Sequence, residues 1–368
     1  MVNEGKGRDP MRVALVHEWL VRWGGSESVL QSFSSVFPGA PIHTLVHRPD
    51  PQVADIFPPT RVLTTVLHRL PGVAGYYPVT LPLMPWAWRR LRLESFDLIL
   101  SSSHAFAKAV RKAPGALHVC YCHTPPRYLW DLHEEYARGS ARLLAGPLLA
   151  WLRRQDLAAA QGVDVWIANS RFVAERIQRI YGAEAQVIYP PVDVDAFGVA
   201  AGGDYYLAGG RLVGYKRIDR AVQAANRAGF DLIVFGDGPE RRRLERMAGS
   251  TVRFVGAVSQ DQLNALLAGC RAYLFPGVED FGILPVEAQA AGRPVVALAR
   301  GGARESVIDG ETGVLFEDDS VEGLVRAIDQ AAGVPWRPDV SRANAERFSR
   351  SRFEAEIRRA VEVALGNR

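Results

Sequence analysis

Residues 276–294 read Pro276-Gly277-Val278-Glu279-Asp280-Phe281-Gly282-Ile283-Leu284-Pro285-Val286-Glu287-Ala288-Gln289-Ala290-Ala291-Gly292-Arg293-Pro294. Upstream, Ala272 to Phe275 is a short apolar run of the kind that forms a buried parallel strand. Downstream, the pattern becomes helical, and the first turn accepts Pro285 because an amide there has no intrahelical partner to lose. A strand that passes through a glycine-bearing loop into a helix leaves free amides and the positive helix end at its exit, where an anionic group such as a diphosphate fits. Two carboxylates bracket that exit, Glu279 in the loop and Glu287 eight positions on. Each has the reach to hold hydroxyls on one side of a phosphate, although the helix dipole alone also stabilises carboxylates at such places.

Working outward, 368 residues suit two domains of roughly 150 to 200 residues each. The composition, 48% hydrophobic and 23% charged, is that of an ordinary globular chain. No apolar run approaches the roughly 18 residues that span a bilayer, and the charged, glycine-rich start at 1–10 does not read as a signal peptide. The expected location is therefore cytoplasmic. Three cysteines, two of them alternating in a strand-like run at Cys120 and Cys122, read as small buried residues, and no metal is assigned. The net charge of +4 belongs to the first half, where residues 1–195 hold 21 Lys+Arg against 17 Asp+Glu, and all eight histidines lie there too, from His17 to His133. Proton-transfer groups and attraction for anionic acceptors are thus concentrated early in the chain. No basic run interleaved with aromatics points to nucleic acid.

In the first half, 12–17 is an opening buried strand, and Gly24 and Gly25 precede a helix over 26–36 with Ser26 as its expected N-cap. The glycine pair lets the backbone approach a ligand closely and makes a first candidate anion loop, although a tight strand-to-helix turn needs the same residues. Further strands are expected at 42–46, 97–100, 118–122, 163–168 and 187–189, with 101–104 (Ser-Ser-Ser-His) as a polar loop. His104 and His123 follow strand ends, where ligands of open parallel sheets gather; His118 and His133 default to structural roles. The segment 67–92 sets Tyr76, Tyr77, Trp86 and Trp88 beside Arg89, Arg90 and Arg92, and 143–154 again ends in a basic pair. Both suit a peripheral membrane contact, or equally helices packed by their tryptophans with arginines in solvent. Proline-stiffened residues 190–203 are the expected linker.

The second half repeats the alternation. A strand at 205–208 runs into Gly209-Gly210-Arg211-Leu212-Val213-Gly214-Tyr215-Lys216-Arg217. Lys216 is the only lysine after Lys112, and a compact ammonium on a flexible stem in a post-strand glycine loop suits a phosphate as a point charge. Residues 236–240 (Gly-Asp-Gly-Pro-Glu) lack the third glycine of a dinucleotide fingerprint, and no glycine-lysine phosphate-loop motif occurs. Short buried strands alternating with helices in both halves predict an α/β protein with two parallel sheets and right-handed crossovers.

Taken together, the paired glutamates at 279 and 287, the loop 209–217, Ser101-Ser102-Ser103-His104, Cys120-Tyr121-Cys122-His123-Thr124-Pro125, Tyr128-Leu129-Trp130-Asp131 and Asn169-Ser170-Arg171-Phe172 resemble glycosyltransferase family 4, and within it the O-antigen and exopolysaccharide mannosyltransferases. The resemblance covers nearly the whole chain. It implies the GT-B fold, two facing Rossmann-like domains: 1–192 binding the acceptor, 193–350 binding the nucleotide-sugar donor, and a helix over 351–368 returning to the first domain. It implies retaining transfer of a hexose, mannose from GDP-mannose, to a glycan or polyprenyl-diphosphate-linked glycan, without cofactor or metal, at the inner face of the membrane. The implied donor-binding set is Gly24, Gly25, Arg211, Lys216, Glu279, Phe281, Gly282, Ile283 and Glu287. The implied catalytic set is His123, Glu279, Lys216 and Arg211, with Arg211 and Lys216 on the diphosphate, Glu279 on the donor sugar, Glu287 on the ribose and His123 on the transferring sugar. A nucleotide-sugar epimerase of the same architecture and a non-catalytic nucleotide-sugar-binding subunit are the alternatives; a dehydrogenase is disfavoured by the missing fingerprint.

Overall fold

The computed structural model describes residues 11–131, 141–200 and 202–366. The expectations for 1–10 and for His133 fall outside them, and so do the side chains of Tyr76, Tyr77 and 143–145. The chain divides into two compact units, Met1–Ile188 with Glu354–Arg368, and Tyr189–Phe353. The first division lies just before 190 because Tyr189 already belongs to the second core, its ring against Phe281 and Phe348, and the Val192 amide donates to the Phe348 carbonyl at 2.9 Å.

In the first unit, β1 (Val13–His17), β2 (Ile42–Thr44), β3 (Val62–Thr64), β4 (Leu98–Ser103), β5 (Leu117–Cys122), β6 (Val165–Ala168) and β7 (Ala185–Val187) form one sheet in the order β3-β2-β1-β4-β5-β6-β7, every pair parallel. The second sheet consists of β8 (Tyr206–Gly209), β9 (Leu232–Phe235), β10 (Val252–Gly256), β11 (Ala272–Phe275), β12 (Val295–Leu298) and β13 (Gly313–Phe316). Its order is β10-β9-β8-β11-β12-β13, again all parallel. Both orders reverse beside the first strand of the unit, at β1/β4 and β8/β11. The crevice outside the carboxyl ends of the strands at such a reversal is where doubly wound sheets place their ligands.

The strands are short continuous apolar runs because helices cover both faces. In the second unit Leu207, Ile233, Tyr273 and Val295 pack into a core on one face, and Ala208, Val234, Leu274 and Val296 into a core on the other. The helices used below are α1 (Gly25–Val36), α2 (Ala141–Ala160), α3 (Arg171–Tyr181), α4 (Ile218–Ala228), α5 (Gln260–Gly269) and α6 (Ile283–Ala290). Ser170 caps α3 by accepting from the Val173 amide, and Ser259 with Gln262 forms a capping box at α5. Two local expectations fail. Helix α1 begins at Gly25 with Gly24 as N-cap, because the Ser26 hydroxyl donates instead to Glu27 Oε2 at 2.9 Å. Residues 101–103 are not a loop but the buried end of β4, and their hydroxyls are satisfied inside the sheet.

Candidate active site

In the second unit the reversal point is built from two loops. The chain leaves β8 through Gly209 and Gly210 and reaches a short turn, Gly214–Lys216. It leaves β11 through 276–282 into α6. The second loop lies directly on the first because residue 277 is glycine: a Cβ there would come within 2.6 Å of Lys216 Cα and of the Tyr215 carbonyl oxygen. Gly282, the N-cap of α6, turns the chain at φ 83°, a left-handed conformation costly for any other residue, with the Phe275 ring beneath it. The outcome is an ion pair, Lys216 Nζ to Glu279 Oε1 at 2.8 Å. Arg217, the next residue, has φ 52°, the one positive φ outside glycine among the described residues. Such a conformation costs on the order of 1 kcal/mol and persists only where the surroundings over-determine it.

Burial works against the Lys216 ammonium, yet the charge and hydrogen bond of Glu279, with Tyr215 and Glu287 behind it, hold its pKa above the usual lysine value. Glu287 goes the other way. Burial pushes its carboxyl up to about 7, and the Lys216 charge only partly offsets this. The two carboxylates that bracket the helix entrance therefore differ, one locked to a cation and one poised between protonation states near neutrality. Phe281 is buried under Tyr189 and Phe348, which leaves its backbone to serve the site. The first turn of α6 leaves the amides of Ile283 and Leu284 without intrahelical carbonyls, and Leu284 packs on Gly210. Arg211 stands exposed on the same loop as Lys216.

In the first unit the rim at β1/β4 carries a different set. His17 and Ser102 are register partners across β1 and β4, and His123 follows β5. Their side chains join in series: His17 Nε2 lies 3.3 Å from Glu27 Oε1, His17 Nδ1 lies 3.1 Å from Ser102 Oγ, and Ser102 Oγ lies 2.8 Å from His123 Nε2. Gly24 sits under this arrangement, since a Cβ there would come within 3.2 Å of Glu27 Oε2. The positive end of α1 at Gly24 and Gly25 is thus faced by a carboxylate of the protein itself. Burial and the neighbouring His104 and His17 hold the His123 imidazole well below its usual pKa, so it is neutral near pH 7. His104 packs edge-on against Trp19 at 4.6 Å and lies 6.0 Å from His123, ring to ring. Glu18 Oε1 accepts from Ser103 Oγ and from the amides of Ala105 and Ala107 at 2.7–3.0 Å, which fixes the loop that carries His104. Arg176, buried on α3, holds the segment after His123 by donating to Thr124 Oγ1, the Pro125 carbonyl and Asp131.

The geometry thus brings Lys216, Glu279, Gly282 and Ile283 together with Glu287 beside them, and sets Gly24, Gly25 and His123 on the rim of the other unit. The residues that sequence reading missed are His17, Glu27 and Ser102. The signal available was that two strand ends and a helix start carry polar groups at one rim. His118 is structural, as expected: fully buried, it is held by Ser101 Oγ at 2.8 Å and the Gly162 carbonyl at 3.2 Å, with burial lowering its pKa to about 4. All three cysteines are free and buried, and burial pushes the thiols of Cys120 and Cys270 up to about 12. Among the described residues no group of three or more His, Cys, Asp and Glu side chains suits a metal ion, and no helix is long and apolar enough to cross a membrane. In the aromatic and arginine-rich segment Trp88 is buried, whereas Trp86 is 47% exposed with the Arg90 guanidinium 5.2 Å over its ring.

Comparison with known proteins follows the same division. Residues 23–196 match the family model described as Glycosyltransferase Family 4, and residues 194–346 the model described as Glycosyl transferases group 1. Among curated relatives, a glycogen synthase of Mycobacterium tuberculosis is 31% identical over 216 residues, 53% of this chain and 50% of the relative. A GDP-mannose-dependent alpha-(1-6)-phosphatidylinositol monomannoside mannosyltransferase of Mycolicibacterium smegmatis is 30% identical over 207 residues, 47% of this chain and 54% of the relative. The chain spans about half the length of the curated relatives it matches. Among solved structures, HepE of Anabaena in complex with UDP aligns with a TM-score of 0.70 at 18% identity, covering 96% of this chain and 100% of that one. Sucrose-phosphate synthase from Thermosynechococcus elongatus aligns with a TM-score of 0.71 at 18% identity over the same shares.

Proposed function

We propose a retaining hexosyl transfer for this chain, which belongs to the glycosyltransferases of GT-B type, with a family 4 first domain and a group 1 second domain. The observation that carries the proposal is the Lys216–Glu279 pair at 2.8 Å, assembled from two separate loops at the reversal point of the second sheet. An ammonium has three hydrogens to donate, so the bond to Glu279 leaves others for a donor diphosphate. Arg211 and the amides around Phe281, Gly282 and Ile283 complete the anion site, as preorganised electrostatics that stabilise the leaving nucleoside diphosphate. Glu279 orders hydroxyls of the donor sugar and Glu287 holds the ribose. On the first unit, Gly24 and Gly25 allow close backbone approach and His123 contacts the transferring sugar. The bond from the anomeric carbon to the donor phosphate breaks as the acceptor oxygen joins on the same face, and a donor phosphate oxygen takes the acceptor's proton.

Mannose from GDP-mannose is the donor this reading favours, supported by two mycobacterial relatives named as GDP-mannose-dependent mannosyltransferases at 30% and 34% identity. A glucosyl donor is the second reading, supported by the glycogen synthase relative at 31%. The acceptor is a glycan, free or carried on polyprenyl diphosphate. Exposed Trp86 and Trp151, with the exposed Arg90 and Arg154, support a peripheral contact with the inner face of the membrane. The test is turnover and thermal shift with GDP-mannose, UDP-glucose and ADP-glucose. Turnover with GDP-mannose alone is the expected result; selective turnover of a glucosyl donor replaces the mannosyl reading, and conversion of a nucleotide sugar with no acceptor present replaces transfer by epimerisation.

A further inference from the structure

The series Glu27–His17–Ser102–His123 resembles a hydrolase triad in its first three members, but Ser102 is 0% exposed and in contact with a second imidazole, so it has no path to a substrate as a nucleophile. A count of hydrogens gives the series another use. Three contacts in a row, at 3.3, 3.1 and 2.8 Å, need three hydrogens. With both imidazoles neutral the chain holds three: one on His17, the hydroxyl of Ser102, and one on His123. An ionised Glu27 has none to give, so His17 Nε2–H donates to it, Ser102 O–H donates to His17 Nδ1, and His123 Nε2–H donates to Ser102 Oγ. Burial raises the Glu27 carboxyl, but Oε1 faces His17 Nε2 at 3.3 Å and Oε2 accepts from the Ser26 hydroxyl at 2.9 Å, so both oxygens serve as acceptors, as an ionised carboxylate does, and these hydrogen bonds help keep its pKa below the usual value.

We propose that Glu27, His17 and Ser102 are positioning residues that hold His123 as its Nε2–H tautomer and so offer Nδ1 to the sugar as a hydrogen-bond acceptor. The second half of that statement rests on the reading of His123 as a contact of the transferring sugar; the first half stands on the first unit alone. His123 is partly exposed whereas His17 and Ser102 are not, so the series runs from the interior to a group a ligand can reach. A neutral acceptor nitrogen takes a hydroxyl hydrogen from the sugar without adding a positive charge that would compete for the phosphates.

The full chain, with its histidines labelled with nitrogen-15, reads the tautomer directly through long-range proton–nitrogen correlations. The expected spectrum shows His123 Nδ1 unprotonated and Nε2 protonated. Ser102→Ala is expected to average the two tautomers and to lower kcat about tenfold, the worth of one hydrogen bond, with donor KM held within about twofold. Ser102→Thr, which keeps the hydroxyl, is expected to restore both. Glu27→Gln, which keeps the shape and removes the charge without touching the strand, is expected to mix the tautomers too. Wild-type His123 with its hydrogen on Nδ1, or a Ser102→Ala chain with unchanged tautomer and kcat, overturns the proposal. Undiminished turnover by His123→Ala would instead remove the sugar-contact reading and leave the tautomer spectrum to decide the rest.

Discussion

Each unit holds a tight lysine–carboxylate pair beside a strand end, and the two are of nearly equal length: Lys108 Nζ to Asp156 Oδ1 at 2.6 Å in the first, Lys216 Nζ to Glu279 Oε1 at 2.8 Å in the second. Their surroundings differ. Lys108 and Asp156 are 2% and 0% exposed, Lys108 also donates to the Ala105 carbonyl, and Asp156 Oδ2 accepts from Trp130 Nε1 and Tyr181 Oη. That pair is enclosed, and it ties the loop after β4 to α2 and α3. Lys216 and Glu279 are 12% and 19% exposed and meet at a sheet reversal, with donor capacity to spare. The same charges serve architecture in one place and remain available to a ligand in the other, which illustrates that function lives in the site rather than in the fold.

Three measurements test that contrast. Asp156→Ala strands a buried ammonium, and breaking such a pair costs about 3–5 kcal/mol. Denaturant unfolding of the variant is expected to show a loss of that size; a loss below about 1 kcal/mol would mean the two pairs are alike. Lys216→Ala is expected to behave in the opposite way, lowering kcat on the order of hundreds-fold while thermal stability stays close to wild type. The smallest effect belongs to Glu287. Its carboxyl lies at about 7 in the fold against 4.5 ordinarily, because of burial, so the folded chain holds the extra proton between those values. The stabilising contribution is full below pH 4.5 and is lost as pH rises through 7. Glu287→Gln is expected to remove a pH-dependent component on the order of 1–2 kcal/mol, after screening of a partly exposed group, seen as a flatter melting temperature between pH 5 and 8.

Much of this was legible in the sequence. Short apolar runs alternating with helices identify two parallel sheets, because only strands buried on both faces lack polar alternation. The Lys216 and Glu279 loops were readable because each follows a strand and carries glycines, and Gly277 is needed where they touch. The Glu27 series was not readable, since Ser102 lies 85 residues from His17 and their meeting depends on the β1–β4 register. Ser26 misled for a local reason: a hydroxyl beside a carboxylate has a better acceptor than the role of a cap. The serines at 101–103 misled because a run of hydroxyls reads as solvent-facing, whereas here each one finds a buried partner.

That serine run has a further implication. Neighbours along a strand project to opposite sides of the sheet, so Ser101 and Ser103 serve His118 and Glu18 on one side while Ser102 serves His17 and His123 on the other. A single strand therefore acts as a two-sided junction box, with circuits that do not share a wire. The histidine circuit can be rewired without disturbing the loop support behind it, and that independence gives a fold of fixed topology a way to change the chemistry of this rim one position at a time.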